Sequence, residues 1–274
     1  MGEEVNEIEG KVLKYYFGSS GILTLKEAPL KIVSWAEGSD EEIVAMIKAA
    51  NDGKIDLHDH WNVGDIRTIE MTAETNFGWK AGSYNWRLLD TNFKTLTTPI
   101  GNQTKSNFLI GLENLENTQG FRMHSSDAAV DWSNCDLRNN MNTYLLNAFP
   151  LIWQTNGIIK RITNRYSKVD GTNGTISDLF FIPSEYEEFG FHRIASSDGS
   201  SDGWISWYQT PEHRYKAPND EWEGNTYGSC YLLRDRSNDS SRFCMRRCWT
   251  DTPSEAWDLV PSNNQWRLSP HFCI

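Results

Sequence analysis

The chain is expected to fold as an α+β protein, with two main helices against a small, twisted, mostly antiparallel sheet and much irregular backbone. Three observations carry that expectation. Two segments, near residues 39–53 and 134–150, space their apolar residues as helices do, between recognisable start and stop signals. The other apolar runs are short and are separated by Thr, Asn, Ser and Gly, the pattern of strands joined by turns. Finally, 12 Trp, 10 Tyr and 12 Phe give large buried area per residue to a 274-residue chain that is only 38% hydrophobic.

Taken in order, residues 1–38 read as an N-terminal strap without a sustained period, with a turn at 18–21 and a short strand at 32–35. Residues 39–274 read as one domain. Its first helix opens on a capping box of Ser39 and Glu42, puts Ile43, Met46, Ile47 and Ala50 on one face, and ends at Asn51-Asp52-Gly53. A turn at 62–64 leads to a strand over 66–71, and 85–93 and 107–112 read as further strands. The second helix starts near Asn134 with Leu137, Met141, Tyr144, Leu145 and Ala148 as its stripe, and Pro150 breaks or restarts it. After an apolar segment at 158–162 and a turn at 170–174, residues 179–183 predict a buried strand. That strand runs into a turn capped by Ser184 and Glu187. Residues 195–203 are a Ser/Asp/Gly loop, and short aromatic strands between long polar loops follow from Trp204. So little regular structure needs side-chain clamps, which the tryptophans are expected to supply.

Charge narrows the function. The net charge is -11, with 32 acidic and 20 basic residues over 1–227 but 5 and 6 over 228–274. An arginine-bearing segment on an acidic body lacks the basic field that a nucleic-acid backbone demands. No run of apolar residues is long enough to span a bilayer as a helix, and the acidic start lacks the regions of a classical signal peptide. The expectation is synthesis in the cytoplasm, with association to a virion or cell surface afterwards. Of five cysteines, Cys230, Cys244, Cys248 and Cys273 lie in the last 47 residues at spacings that match no zinc or thioredoxin pattern. Buried reduced thiols are expected; a Cys244–Cys248 or Cys230–Cys273 disulfide is the alternative outside a cell.

Several chemistry-bearing groups can be weighed against plainer readings. His58 and His60, two apart beside Asp56 and Asp59, would share a metal only on a strand and with a third ligand. A helix-to-strand loop is the simpler account, and no metal or other cofactor is assigned. His124, near Asp127, and His192, near Glu188, are general-base candidates only by closeness in sequence. Arg246 and Arg247 between Cys244 and Cys248 would favour a thiolate, with His271 as the one histidine of the segment, yet inert buried thiols account for these cysteines as well. The segment 228–274 reads better as a surface, since each polar stretch (235–242, 250–255, 262–265) ends on an apolar anchor. Loops pinned at both ends hold exposed donors in place at low entropic cost.

Residues 39–68, SDEEIVAMIKAANDGKIDLHDHWNVGDIRT, are similar to the opening of the DUF6273 family of bacterial and phage genomes. Residues 108–112, 132–138, 178–190 and the terminal LSPHFCI fit as well, so the resemblance covers about nine-tenths of the chain. It implies a C-type-lectin-like fold, akin to the formylglycine-generating-enzyme type. It also implies kinship with the variable proteins of diversity-generating retroelements, whose C-terminal codons are rewritten on a constant scaffold. Leu233 and Arg234 match the leucine and arginine of the family's W.LRSP run, whereas Tyr231 and Asp235 depart from its tryptophan and serine. On this parallel 228–274 is the variable ligand-binding segment. The exposed, variable positions would be Tyr231, Arg236, Asn238, Asp239, Arg242, Arg246, Trp249 and Trp257, with Leu233, Phe243, Leu268, Pro270 and Phe272 as scaffold. The expected function is non-enzymatic recognition of a protein or glycan on a target cell or virion. The alternatives are a cysteine-dependent enzyme of the sulfatase-modifying type and an oligomeric phage or cell-surface structural subunit.

Overall fold

Strands β1 (Val5–Ile8), β2 (Lys11–Phe17) and β3 (Leu23–Glu27) form an antiparallel meander, so the segment read as an irregular strap contains a sheet of its own. In this computed structural model the described residues are 5–8, 11–17, 23–27, 29–115, 118, 120–190, 203–210, 213, 221–222, 225–226, 228–236, 242–248, 257–261 and 265–274; of 5–27, 221–230, 245–248 and 257–261 the backbone alone is described. The turn expected at 18–21 and the loop expected at 195–203 fall almost wholly outside them. Residues 32–35, expected as a strand, are irregular and lead into a turn. Their apolar character serves burial, because Trp35 is fully buried and its indole N–H donates to the Trp86 carbonyl at 3.2 Å.

Helix α1 (Asp40–Asn51) begins at the predicted capping box. The Glu42 N–H donates to Ser39 Oγ and the Glu42 carboxylate accepts from the Ser39 N–H, satisfying two orphan donors of the first turn. Ile43, Met46 and Ile47 face inward, joined by Val44 and Ala49.

The main sheet has five strands in the order β11-β17-β8-β5-β4: β4 (Ile66–Met71), β5 (Gly82–Thr91), β8 (Phe108–Leu112), β11 (Phe180–Phe181) and β17 (His271–Cys273), every pair antiparallel. β4 alternates inward Arg67, Ile69 and Met71 with exposed Thr68 and Glu70. β8 is buried at all five positions, which explains its continuous apolar run. Gly111 on β8 allows a close approach, since a Cβ there would run into the Leu89 side chain and the His271 ring. A second sheet, β10-β9-β6-β7, is built from β6 (Thr95–Ile100), β7 (Gln103–Lys105), β9 (Ile162–Ser167) and β10 (Asn173–Asp178). The sequence assigned no strand to these Thr- and Asn-rich segments because they carry few apolar residues; their backbone pairing is what makes them strands.

Helix α2 (Asp136–Tyr144) runs through a 3-10 turn at Leu145–Ala148 to α3 (Leu151–Thr155), which restarts after Pro150. The Asn142 carboxamide ties α2 to the main sheet, accepting from the Leu179 N–H (2.6 Å) and donating to the Phe180 carbonyl (2.8 Å). Buried Asp178 gathers the Trp132 indole (3.0 Å), the Asn164 amide (2.9 Å) and the Arg138 guanidinium (2.7 Å). The layers meet at Phe272, whose ring centroid lies 5.1 Å from Trp86, 5.6 Å from Phe149, 5.9 Å from Phe180 and 6.3 Å from Trp153. The short helix α4 (Glu185–Phe189) precedes a two-strand ladder, β12 (Glu221–Trp222) with β13 (Asn225–Thr226). The C-terminal segment then adds its own sheet, β14 (Gly228–Arg236), β15 (Arg242–Cys248) and β16 (Trp257–Pro261), antiparallel and in that order. The architecture is thus α+β and antiparallel, but spread over several sheets where the sequence suggested one.

Candidate functional site

The C-terminal sheet is fastened to the body at α4. Ser184 caps this helix with Glu187 in a second reciprocal box, and Gly190 ends it at φ +76, a left-handed cap that glycine adopts without strain. Glu185, Glu187 and Glu188 are all fully buried, although they sit in a single turn. Glu187 is matched by two buried cations from distant parts of the chain. The Lys94 ammonium bonds one carboxylate oxygen, and the Arg234 guanidinium takes both in a fork at 2.5 and 2.6 Å. Burial alone would push the Glu187 carboxyl up, but Arg234 and then Lys94 hold it well below the usual carboxylate range. Arg234 also donates to the carbonyls of Ile182 (2.9 Å) and Arg165 (3.1 Å).

Neighbouring β14 residues extend this clamp. The Tyr231 hydroxyl donates to Glu188, and the Asp235 carboxylate accepts from the Glu185 N–H at 2.5 Å. Backbone bonds add to it, from Arg234 N–H to the Pro183 carbonyl (3.0 Å) and from Leu232 N–H to the Arg267 carbonyl (3.2 Å). A carboxylate locked between two cations is a poor proton carrier. Its role is to hold β14 in register.

Two of the proposed exposed positions are therefore corrected. Tyr231 and Arg236 are buried, because β14 is covered on both faces from 231 to 236 and its polar side chains are spent on α4 and on the Lys168 carbonyl. Arg242, at the start of β15, is exposed. The backbone register sets Arg246 between Tyr231 and Trp257 in one cross-strand row, while the side chains of Arg246 and Trp257, and all of Asn238, Asp239 and Trp249, lie outside the described residues. Leu233, Phe243, Leu268, Pro270 and Phe272 are buried. Sequence reasoning passed over Lys94, Glu185 and Asp235. The Ser184–Glu187 box pointed to a capped turn, but nothing in the letters around Lys94 signals a buried ammonium.

Cys135, Cys244 and Cys273 are buried free thiols, as the main expectation had it. Cys244 and Cys273 are free, which rules out both proposed disulfides. Cys244 and Cys248 share strand β15, and four residues of strand span about 13 Å, far beyond disulfide reach. Burial, reinforced by the Asp235 and Glu185 charges, pushes the Cys244 thiol well up, and burial takes Cys135 up to about 12.

The histidine candidates scatter. Asp56 caps a 3-10 turn at Leu57–Asp59 and bonds His58 Nδ1 at 2.6 Å, while His58 Nε2 lies 3.1 Å from the Asn107 carbonyl. His124 Nδ1 lies 3.1 Å from Asp136 and so pairs with neither Asp127 nor Glu188. His192 lies outside the described residues. His271 is buried in β17 with its Nε2 3.1 Å from the Tyr208 hydroxyl. Among the described residues no three His, Cys, Asp or Glu side chains are grouped to hold a metal ion, and no helix is long and apolar enough to cross a membrane.

Two clefts open on the described surface. One, of about 580 Å³, is shallow and lies beside His58, Asn92 and Gln103. The other, of about 290 Å³, lies between Phe77, Phe121 and the first turns of α2. In the second, burial alone would raise the Asp136 carboxyl, but hydrogen bonds from Ser125, with His124 and Arg122 close by, bring it below its ordinary value. The chain matches no family model, no curated protein and no solved structure.

Proposed function

We propose that this protein is a non-enzymatic binding protein of C-type-lectin-like, DUF6273-type architecture, whose segment 228–274 recognises a protein or glycan surface. The observation that carries the reading is the buried Lys94–Glu187–Arg234 clamp, with Tyr231–Glu188 beside it. It fixes β14, an edge strand of the C-terminal sheet, to the body, and β15 and then β16 pair outward from it. A rigid base beneath such a segment lowers the entropy lost when the segment meets a partner. The recognition positions on this reading are Arg242, Arg246, Trp249 and Trp257, with Asn238 and Asp239 in the β14–β15 connection; Tyr231 and Arg236 belong to the base. A cysteine-dependent enzyme would need an accessible, ionised thiol, and burial works against that at Cys244.

The test is an array of glycans and surface proteins probed with the full chain and with Arg242→Ala, Arg246→Ala and Trp249→Ala. A hit weakened at least about tenfold by one of these changes, as expected for a contact at the centre of an interface, places the site on the segment. Binding that survives all three unchanged sinks the placement. Diversification is checked separately in the genome: a neighbouring reverse transcriptase and a near-repeat of the 3′ end differing at adenines are expected.

A further inference from the structure

The smaller cleft shares Gln265 with the C-terminal segment but none of the recognition positions named there. Phe77 and Phe121, with ring centroids 4.9 Å apart, contribute its apolar lining. Its lining carries one charge of each sign, Asp136 and Arg122. The Asp136 carboxylate accepts from the Ser125 N–H at 2.8 Å and lies 3.1 Å from His124 Nδ1, and the Arg122 guanidinium lines the same cleft. A ligand with net charge would meet one like charge for each opposite one.

Arg122 is exposed and makes no ion pair among the described residues; the other open groups are neutral. The carboxamides of Asn140 and Gln265 are exposed, and among the described residues no hydrogen bond engages either side chain. Each offers donors and an acceptor side by side. Their backbones are held, Asn140 within α2 and Gln265 next to the bridge in which Trp266 and Phe121 exchange N–H···O bonds of 2.6 and 3.0 Å.

We infer that this cleft is a binding site for a neutral pyranose sugar. Adjacent ring hydroxyls match the paired donors and acceptor of a carboxamide, and the C–H face of the ring packs on the edges of Phe77 and Phe121. A volume of about 290 Å³ lies at the small end of ligand sites and leaves room for one ring.

The experiment is saturation-transfer NMR on the full chain with methyl α-glucoside, methyl β-galactoside, methyl α-mannoside and N-acetylglucosamine, with free glutamate and lysine as charged comparators. At least one sugar is expected to give a saturable signal at millimolar concentration. Asn140→Ala and Gln265→Ala should each weaken it by about fivefold, the effect of one hydrogen bond. Both positions are exposed, so circular dichroism should stay unchanged, and Arg242→Ala should leave the signal intact because Arg242 does not line the cleft. Silence from all four sugars, a sugar signal that persists unchanged in both carboxamide variants, or stronger signals from the charged comparators would each overturn the assignment.

Discussion

Glu187 shows how one side chain can organise a region. Removing its charge takes the shared counter-ion from the buried Lys94 and Arg234, so Glu187→Gln should cost about 3–5 kcal/mol in urea unfolding. A loss under about 1 kcal/mol would mean that the pair is solvated in solution. The same group sets a pH dependence. Its folded carboxyl titrates below the unfolded value of 4.5, so the stability it contributes is complete above that value and drains away as the pH falls below it. Wild-type unfolding free energy should therefore drop more steeply below pH 4.5 than that of Glu187→Gln; equal slopes would contradict the assignment. At this scale the sequence was partly legible. Ser184 and Glu187 announced a cap, but neither cation partner is near them in the chain, and only folding brings residues 94, 187 and 234 together.

At the scale of elements, the two capping boxes make a controlled comparison. Ser39 and Ser184 make the same reciprocal pair of bonds, but the first box faces solvent and the second is buried. Ser39→Ala should cost about 1 kcal/mol, the ordinary value of an N-cap. Ser184→Ala should cost up to about 3 kcal/mol, because water cannot replace the lost acceptor at the Glu187 N–H. Thermal melts of the two variants decide it, and equal shifts would argue against a dry α4. Elements with a strong local signal, α1 and β4 among them, were readable because their apolar spacing matches their own period. β6, β9 and β10 were not, since Thr- and Asn-rich segments become strands through neighbours that the local sequence does not name.

Across the whole molecule, Phe272 is the point at which separate layers share a core. It sits in β17 between β11 and β8, and its ring meets Trp86 of the main sheet, Phe149 and α3's Trp153. Phe272→Ala should lose about 3–5 kcal/mol and broaden the unfolding transition, because the cavity would fall where helices and sheet join. Calorimetry reads both quantities; a sharp transition with a small shift would show that the layers are held elsewhere. The tryptophans act on the same scale, as expected of clamps. The indoles of Trp35, Trp61 and Trp132 each bury a large ring and spend the N–H on a distant partner.

By itself the sequence determined the class of fold, the two main helices with their starts, and the apolar identity of the anchors in the C-terminal segment. Those properties follow from local periodicity, capping chemistry and hydrophobicity, which neighbouring residues encode. Tertiary structure alone decided which polar residues of that segment are turned inward. Tyr231, Asp235 and Arg236 look like surface residues in a string of letters, and became interior ones because the fold sets the Glu188 carboxylate, the Glu185 N–H and the Lys168 carbonyl opposite them. A charged side chain is buried where a partner waits for it, and the place of that partner is a property of the fold.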